Sequence, residues 1–273
     1  MSDLHDSGEL SGRVAAITGG TSLIGQAIIS KLVDAGARVV VANNDDPVAA
    51  DIERAHGQSV RVVDADVRND SDLDHVIETA VQEFGGLDIV VCGAAVFDCD
   101  LLDTTRDDWH RSFDVNVIGS AVLIGKATPH LIERGGGSIV LISSISAKQS
   151  QPGRIVYPVT KTAVHGLTRN SSQVLAPHKI RVNSVSPGWT WSVNIDRRYG
   201  SRERDDELDA EFQPLGRLAD PDEVAEAVLF MCSDRSSFVT GSDLAVDGGY
   251  SAVGPEALGQ AFEKIPTIPT PAG

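Results

Sequence analysis

Cysteine is scarce in this chain: Cys92, Cys99 and Cys232 are the only three among 273 residues. The number is odd, no CxxC pair occurs, and no histidine cluster accompanies them. A disulfide framework and a zinc centre are thereby excluded, and a reducing compartment is indicated. Basic residues are also in deficit, with 23 Lys and Arg against 39 Asp and Glu, a formal charge of −16. Sequence-independent nucleic-acid binding depends on a basic surface that displaces counterions, and attraction to anionic membranes has the same need. The charge therefore argues against both partners and serves solubility. No uninterrupted apolar run approaches the roughly 18 residues of a bilayer span. Residues 1–10 are polar and acidic, unlike a signal peptide. A soluble, cytoplasmic protein is the expectation. Aromatics make up only 5% of the chain, yet 41% is hydrophobic, enough for a full core.

What is present alternates with a regular beat. Short β-branched runs recur at 13–17, 38–42, 60–63, 88–91, 138–142, 181–185 and 243–246, separated by amphipathic stretches of helical length such as 25–35 and 73–84. Seven apolar strands with intervening helices predict an α/β fold, a doubly wound parallel seven-stranded sheet of Rossmann type. No linker or internal repeat divides it, so a single domain over 11–253 is expected. Residues 1–10 form a flexible tail in this reading, and 254–273 a C-terminal tail whose end, PTIPTPAG, cannot continue a helix.

Two regions carry chemistry. The first strand runs into Thr18-Gly19-Gly20-Thr21-Ser22-Leu23-Ile24-Gly25 and then a helix, a glycine turn whose backbone N–H groups can face a pyrophosphate. The second strand ends in Asn43-Asn44-Asp45-Asp46, where a 2′-phosphate would meet carboxylates and no cation. The other region holds Ser144, Tyr157 thirteen residues on, and Lys161 four residues later. Four residues is about one helical turn, so Tyr157 and Lys161 share a helix face. A free phenol, with a pKa near 10, is a poor base at neutral pH. A neighbouring ammonium favours the phenolate, and Ser144, closing a buried strand, can hold a substrate oxygen. Pro158 is tolerated in a helix's first turn, so the helix is expected to begin near Tyr157.

These elements lie in order with Asp114-Val115-Asn116-Val117-Ile118-Gly119, Pro187-Gly188-Trp189-Thr190, Pro214-Leu215-Gly216-Arg217 and Val246-Asp247-Gly248-Gly249. Together they resemble the classical short-chain dehydrogenase/reductase family across about residues 11–253. The resemblance implies an NAD(H)-dependent oxidoreductase that interconverts a secondary alcohol and a ketone by direct hydride transfer, without a metal. It implies Tyr157 as general acid/base, Lys161 as its partner and nicotinamide-ribose ligand, Ser144 as stabiliser of the developing charge, and Asn116 as the residue that relays protons through water to the lysine. Cofactor contacts are implied at Gly19, Thr21, Ser22, Leu23, Ile24, Asn43, Asp66, Val67, Cys92, Gly93, Ala94, Tyr157, Lys161, Pro187, Gly188, Trp189 and Thr190.

Two departures from the family pattern stand out. Leu23 replaces a glycine, and is expected to keep a negative φ with its side chain turned from the pyrophosphate. Cys92-Gly93-Ala94-Ala95 replaces the usual Asn-Asn-Ala-Gly, losing two amides that brace the sheet, with Cys92 read as a packing residue. The substrate pocket is expected from Val96, Phe97, Ser146, Gln149, Arg154, Trp189 and Trp191, and the arginines at 197, 198, 202 and 204 belong to a solvated helix face. Helical segments over 117–127 and 163–175 are apolar on more than one face, which with the resemblance implies a homotetramer. The C-terminal tail, with Leu258, Phe262 and Ile265, is expected at a subunit boundary. A cofactor-sensing or scaffold protein, and a dehydratase or epimerase, stand as alternatives on the same fold.

Overall fold

Seven parallel strands form one sheet in the computed structural model, which describes residues 8–44, 47–97, 103–151, 153–192 and 213–254. The strands are β1 (Val14–Thr18), β2 (Arg38–Asn43), β3 (Val60–Asp64), β4 (Ile89–Cys92), β5 (Gly137–Ile142), β6 (Ile180–Pro187) and β7 (Asp243–Val246). Their spatial order is β3-β2-β1-β4-β5-β6-β7, so each lies where the apolar runs of the sequence predict a strand. The order reverses between β1 and β4. In open α/β sheets the crevice beyond the strand ends at such a reversal is where ligands bind.

Alternation along each strand divides the core in two. Ala15, Ile17, Val39 and Val41 pack on one face with α1 (Leu23–Asp34), α2 (Ala49–His56) and α7 (Pro221–Cys232). Val14, Ala16, Val40 and Ala42 pack on the other with α3 (Asp70–Phe84), α5 (Gly119–Glu133) and α6 (Val156–Leu175). Large side chains such as Ile17, Leu32, Leu73 and Leu123 are fully buried, each contributing about 1.5–3 kcal/mol. Local signals set the helix starts: Asn69 caps α3 by accepting from the Ser71 N–H, and Asp220 with Glu223 forms a capping box ahead of α7.

Helix α4 (Arg106–Phe113) continues through a π-helical turn, Asp114–Ile118, into α5. The resulting 28-residue helix is long and apolar enough, by length and composition, to cross a bilayer. The absence of an uninterrupted apolar run therefore did not exclude such a helix. Here Leu123, Ile124, Ala127 and Leu131 of α5 are buried in the core instead.

Candidate active site

β1 ends at Thr18, and the turn after it is built on backbone contact. Gly19 has φ +73°, and a Cβ there would lie 2.5 Å from the carbonyl carbon of Gly93. A Cβ on Gly25 would lie 2.3 Å from the Gly19 carbonyl oxygen. These two glycines thus let the turn fold back beneath α1 and press against the end of β4. Thr18 Oγ1 accepts the N–H groups of Gly93 (3.1 Å) and Ala94 (3.2 Å), so one hydroxyl braces the strand ends where the two amides are missing. Ser22 caps α1 through the N–H of Gly25. The N–H groups of Leu23 and Ile24 make no hydrogen bond among the described residues, leaving two donors at a helix N-terminus for an anion.

A cavity of about 560 Å³ opens along this edge of the sheet. Gly19, Thr21, Ser22, Leu23, Ile24 and Gly93 line one part of it, and Pro187, Gly188, Trp189 and Thr190 line another. Leu23 begins α1 without a positive φ, as expected, since Lys179 is the only described non-glycine residue that has one. It lines the cavity.

Other residues implied by the resemblance stand off the wall. Asn43 is buried at the end of β2, its carbonyl accepting the Ala65 N–H. Asp66 carries hydrogen bonds from Arg68, which hold its carboxyl below the usual range. Val67 lies against α5, close enough that a Cβ on Gly119 would meet its carbonyl oxygen at 2.7 Å. Cys92 is buried, and burial pushes its thiol up to about 12, so it packs and offers no thiolate. Ala94 lies against Gly19 and donates its N–H to Thr18 Oγ1. Asp45 and Asp46 lie outside the described residues, as do Cys99, the four arginines of 197–204 and the chain from 255 onward.

The catalytic candidates converge on the same cavity. Helix α6 begins at Val156, so Pro158 sits in its first turn, and Tyr157 and Lys161 come to one side a turn apart. Tyr157 is 6% exposed and Lys161 2%. Lys161 Nζ donates to the Ile142 carbonyl at 2.7 Å and lies 5.5 Å from the Tyr157 ring centre. Burial lowers the Lys161 ammonium from 10.5 to about 8. Ser144, just beyond β5, lines the cavity with them. Asn116 does not reach the wall. It sits in the π-helical turn, a distortion common at functional sites, and its amide is spent on Val96 and Thr160. Nδ2 donates to the Val96 carbonyl (3.1 Å) and Thr160 Oγ1 (3.0 Å), while Oδ1 accepts the Val96 N–H (2.8 Å). Its side chain ties the segment after β4 to the helix that carries Tyr157.

At the substrate end, Phe97, Ser146, Arg154 and Trp189 line the cavity as expected, and Phe97 stacks on the Tyr157 ring at 4.7 Å. Val96, Gln149 and Trp191 do not. The Val96 backbone is clamped by Asn116, and the backbone N–H groups of Gln149 and Trp191 donate to the Ile145 and Ala219 carbonyls. Gln151 and Ser192 take their places on the wall. They fall in irregular stretches without periodicity, so only the folded chain reveals them. Behind the wall a partly buried cluster joins three elements. Asp243 on β7 accepts from the hydroxyls of Ser184 and Ser186 (2.7 Å each) and lies within ion-pair distance of Lys148 Nζ (2.6 Å) and His165 Nε2 (3.2 Å). Burial pushes its carboxyl up, but these four donors outweigh that and hold it well below the usual range.

A parallel Rossmann-type sheet, a glycine turn feeding a helix N-terminus, and a tyrosine–lysine pair on one cavity define the dehydrogenase/reductase class of protein. Comparison with known sequences agrees. Residues 19–251 match the family profile described as enoyl-(acyl carrier protein) reductase. The chain is 37% identical over 246 residues to dehydrogenase/reductase SDR family member 4 of Pongo abelii, covering 88% of each chain. It is 33% identical to 3beta-hydroxysteroid dehydrogenase 2 of Eggerthella lenta, covering 92% of this chain and all of that one. Against cis-4-hydroxycyclohexanecarboxylate dehydrogenase of Sinomonas cyclohexanicum it is 37% identical, covering 88% and 97%. This chain belongs to the classical short-chain dehydrogenase/reductase family and is an oxidoreductase.

Proposed function

We propose that the protein interconverts a secondary alcohol and a ketone with NAD(H), Tyr157 acting as general acid and base. The observation that carries this reading is the placement of Tyr157, Lys161 and Ser144 on the cavity that also receives the N-terminus of α1. A nicotinamide dinucleotide fits the glycine turn and its two unused N–H donors, and when bound it supplies or accepts the hydride. Thr21 to Ile24 would hold its pyrophosphate, and Pro187 to Thr190 would flank its reactive end. Tyr157 Oη gives a proton to the substrate oxygen in reduction and takes it back in oxidation. The Lys161 cation stabilises the negative charge left on the phenol. Ser144 Oγ donates a hydrogen bond to the substrate oxygen as charge develops there. Asn116 acts at one remove, by fixing the backbone around the pair.

NAD is the preferred form in this reading because Ser22, Asn43 and Asn44 provide no cation for a 2′-phosphate, and Asp45 and Asp46 follow them. Two relatives, a hydroxysteroid and a hydroxycyclohexanecarboxylate dehydrogenase by name, fit an alcohol borne on a ring. The test is a panel of cyclic alcohols and ketones followed by cofactor absorbance, with NAD(H) and NADP(H) side by side. Higher kcat/KM with NADP(H) overturns the cofactor assignment. No turnover with any member favours a cofactor sensor, the reading to which the leucine in place of a glycine at position 23 belongs.

A homotetramer is the assembly we propose. Ile118, Val159, Val174, Leu215 and Phe238 are exposed apolar side chains on the described surface, available to pack against neighbouring copies. A monomer mass by light scattering at micromolar concentration refutes it. A cytoplasmic location accords with the free, buried thiols of Cys92 and Cys232, and cell fractionation tests it.

A further inference from the structure

The charges on the cavity wall are lopsided. Among the described lining residues, Arg154 and Lys161 are the only charged side chains, and no Asp or Glu joins them. The chain as a whole carries −16, yet the described wall of this cavity holds two cations and no carboxylate. Lys161 is committed to Ile142 and to the neighbourhood of Tyr157. Arg154 is not so committed. It is half-buried, forms no ion pair among the described residues, and makes one long contact, Nη1 to Gln151 Oε1 at 3.4 Å. Its guanidinium also lies 5.8 Å from the ring centre of Trp189.

Arg154 is connected to the reacting end. Ser144 Oγ donates to Ser146 Oγ (3.1 Å), Ser146 Oγ donates to Gln151 Oε1 (2.8 Å), and Arg154 shares that oxygen. Three contacts of about 3 Å each separate the guanidinium from Ser144, a span that a six-membered ring with substituents at opposite ends can bridge. Phe97, Ile145 and Trp189 supply apolar wall alongside. A guanidinium on an aromatic face presents its N–H edge in the fork that matches a carboxylate.

We propose that Arg154 binds a carboxylate on the substrate, so that the alcohol or ketone is a hydroxy or oxo acid with an apolar, ring-sized body. This rests on the reading of Tyr157 and Ser144 as the reacting end. The test uses the full-length protein with reduced cofactor and a matched pair, 4-oxocyclohexanecarboxylate and its methyl ester. The acid should be preferred in kcat/KM by roughly 10- to 100-fold, the range of a charge-assisted hydrogen bond. Arg154→Gln should remove most of that preference through KM, and Arg154→Lys should restore part of it. Equal use of acid and ester by the wild type, or an acid-to-ester ratio unmoved in Arg154→Gln, overturns the proposal. Calorimetry with the unreactive cyclohexanecarboxylate separates this proposal from the reaction itself. If neither ketone is reduced, the ketone-reductase reading fails. Binding of that carboxylate to wild type but not to Arg154→Gln still upholds the site, and binding to neither overturns it.

Discussion

Lys161→Met isolates the cost of burying one ammonium. Lys161 is 2% exposed, with the Ile142 carbonyl accepting its hydrogen bond. Desolvation lowers its pKa from 10.5 to about 8, against a smaller opposing effect from Cys92. In the unfolded chain the side chain regains its ordinary value near 10.4. Below pH 8 both states hold the proton and the full penalty applies. Between about pH 8 and 10.5 the unfolded chain holds a proton that the folded protein has lost, so stability rises with pH across that window. The displacement is worth about 3 kcal/mol at roughly 1.4 kcal/mol per pH unit. Equilibrium urea unfolding of cofactor-free wild type and Lys161→Met, from pH 7 to 10.5, measures it. Groups remote from Lys161 titrate alike in both proteins and cancel in the difference, and making the comparison in a Tyr157→Phe background removes the neighbouring phenol. That difference should move by about 3 kcal/mol in favour of the wild type across the window. The lost bond to Ile142 shifts its absolute level but not its slope. A difference that stays flat from pH 7 to 10.5 would refute the reasoning, because it would mean that water reaches the ammonium in the folded protein.

Tyr157→Phe removes the proton donor and little volume, so kcat should fall about 10²–10⁴-fold while the cofactor Kd, read by tryptophan fluorescence, stays within a few-fold. Gly25→Ala places a methyl group 2.3 Å from the Gly19 carbonyl oxygen. Relief requires the turn to shift, costing about 1–3 kcal/mol, and thermal unfolding together with a weakened cofactor Kd should both report it. Asp243→Asn deletes the carboxylate shared by Lys148 and His165. Because the folded carboxyl is held below its unfolded value of about 3.9, the wild type enjoys stability above that pH and loses it as pH falls. The variant should be less stable at pH 7 and show a shallower loss on acid titration below about pH 5, and parallel acid limbs would contradict the assignment.

Strand positions, helix lengths and the order of motifs were legible in the sequence, because apolar alternation and glycine turns act locally. The short β-branched runs placed the seven strands to within one residue, the two-residue extension of β6 to Pro187 aside, and the tyrosine–lysine spacing placed both side chains on one helix side before any fold was known. Thr18 as the brace for Gly93 and Ala94 was not legible, since its two partners lie 75 and 76 residues away. Nor was the exchange of Gln149 for Gln151 and of Trp191 for Ser192 on the wall, which depends on how irregular segments turn between strand and helix. Asn116 shows the division in one residue. Its motif singled it out in the sequence, but only the fold shows that its side chain, in the π-helical turn, ties Val96 to Thr160. The burial that drops the Lys161 pKa likewise belongs to no local pattern. It exists because α6 packs against the end of β5, and desolvation is a property of everything that surrounds a charge.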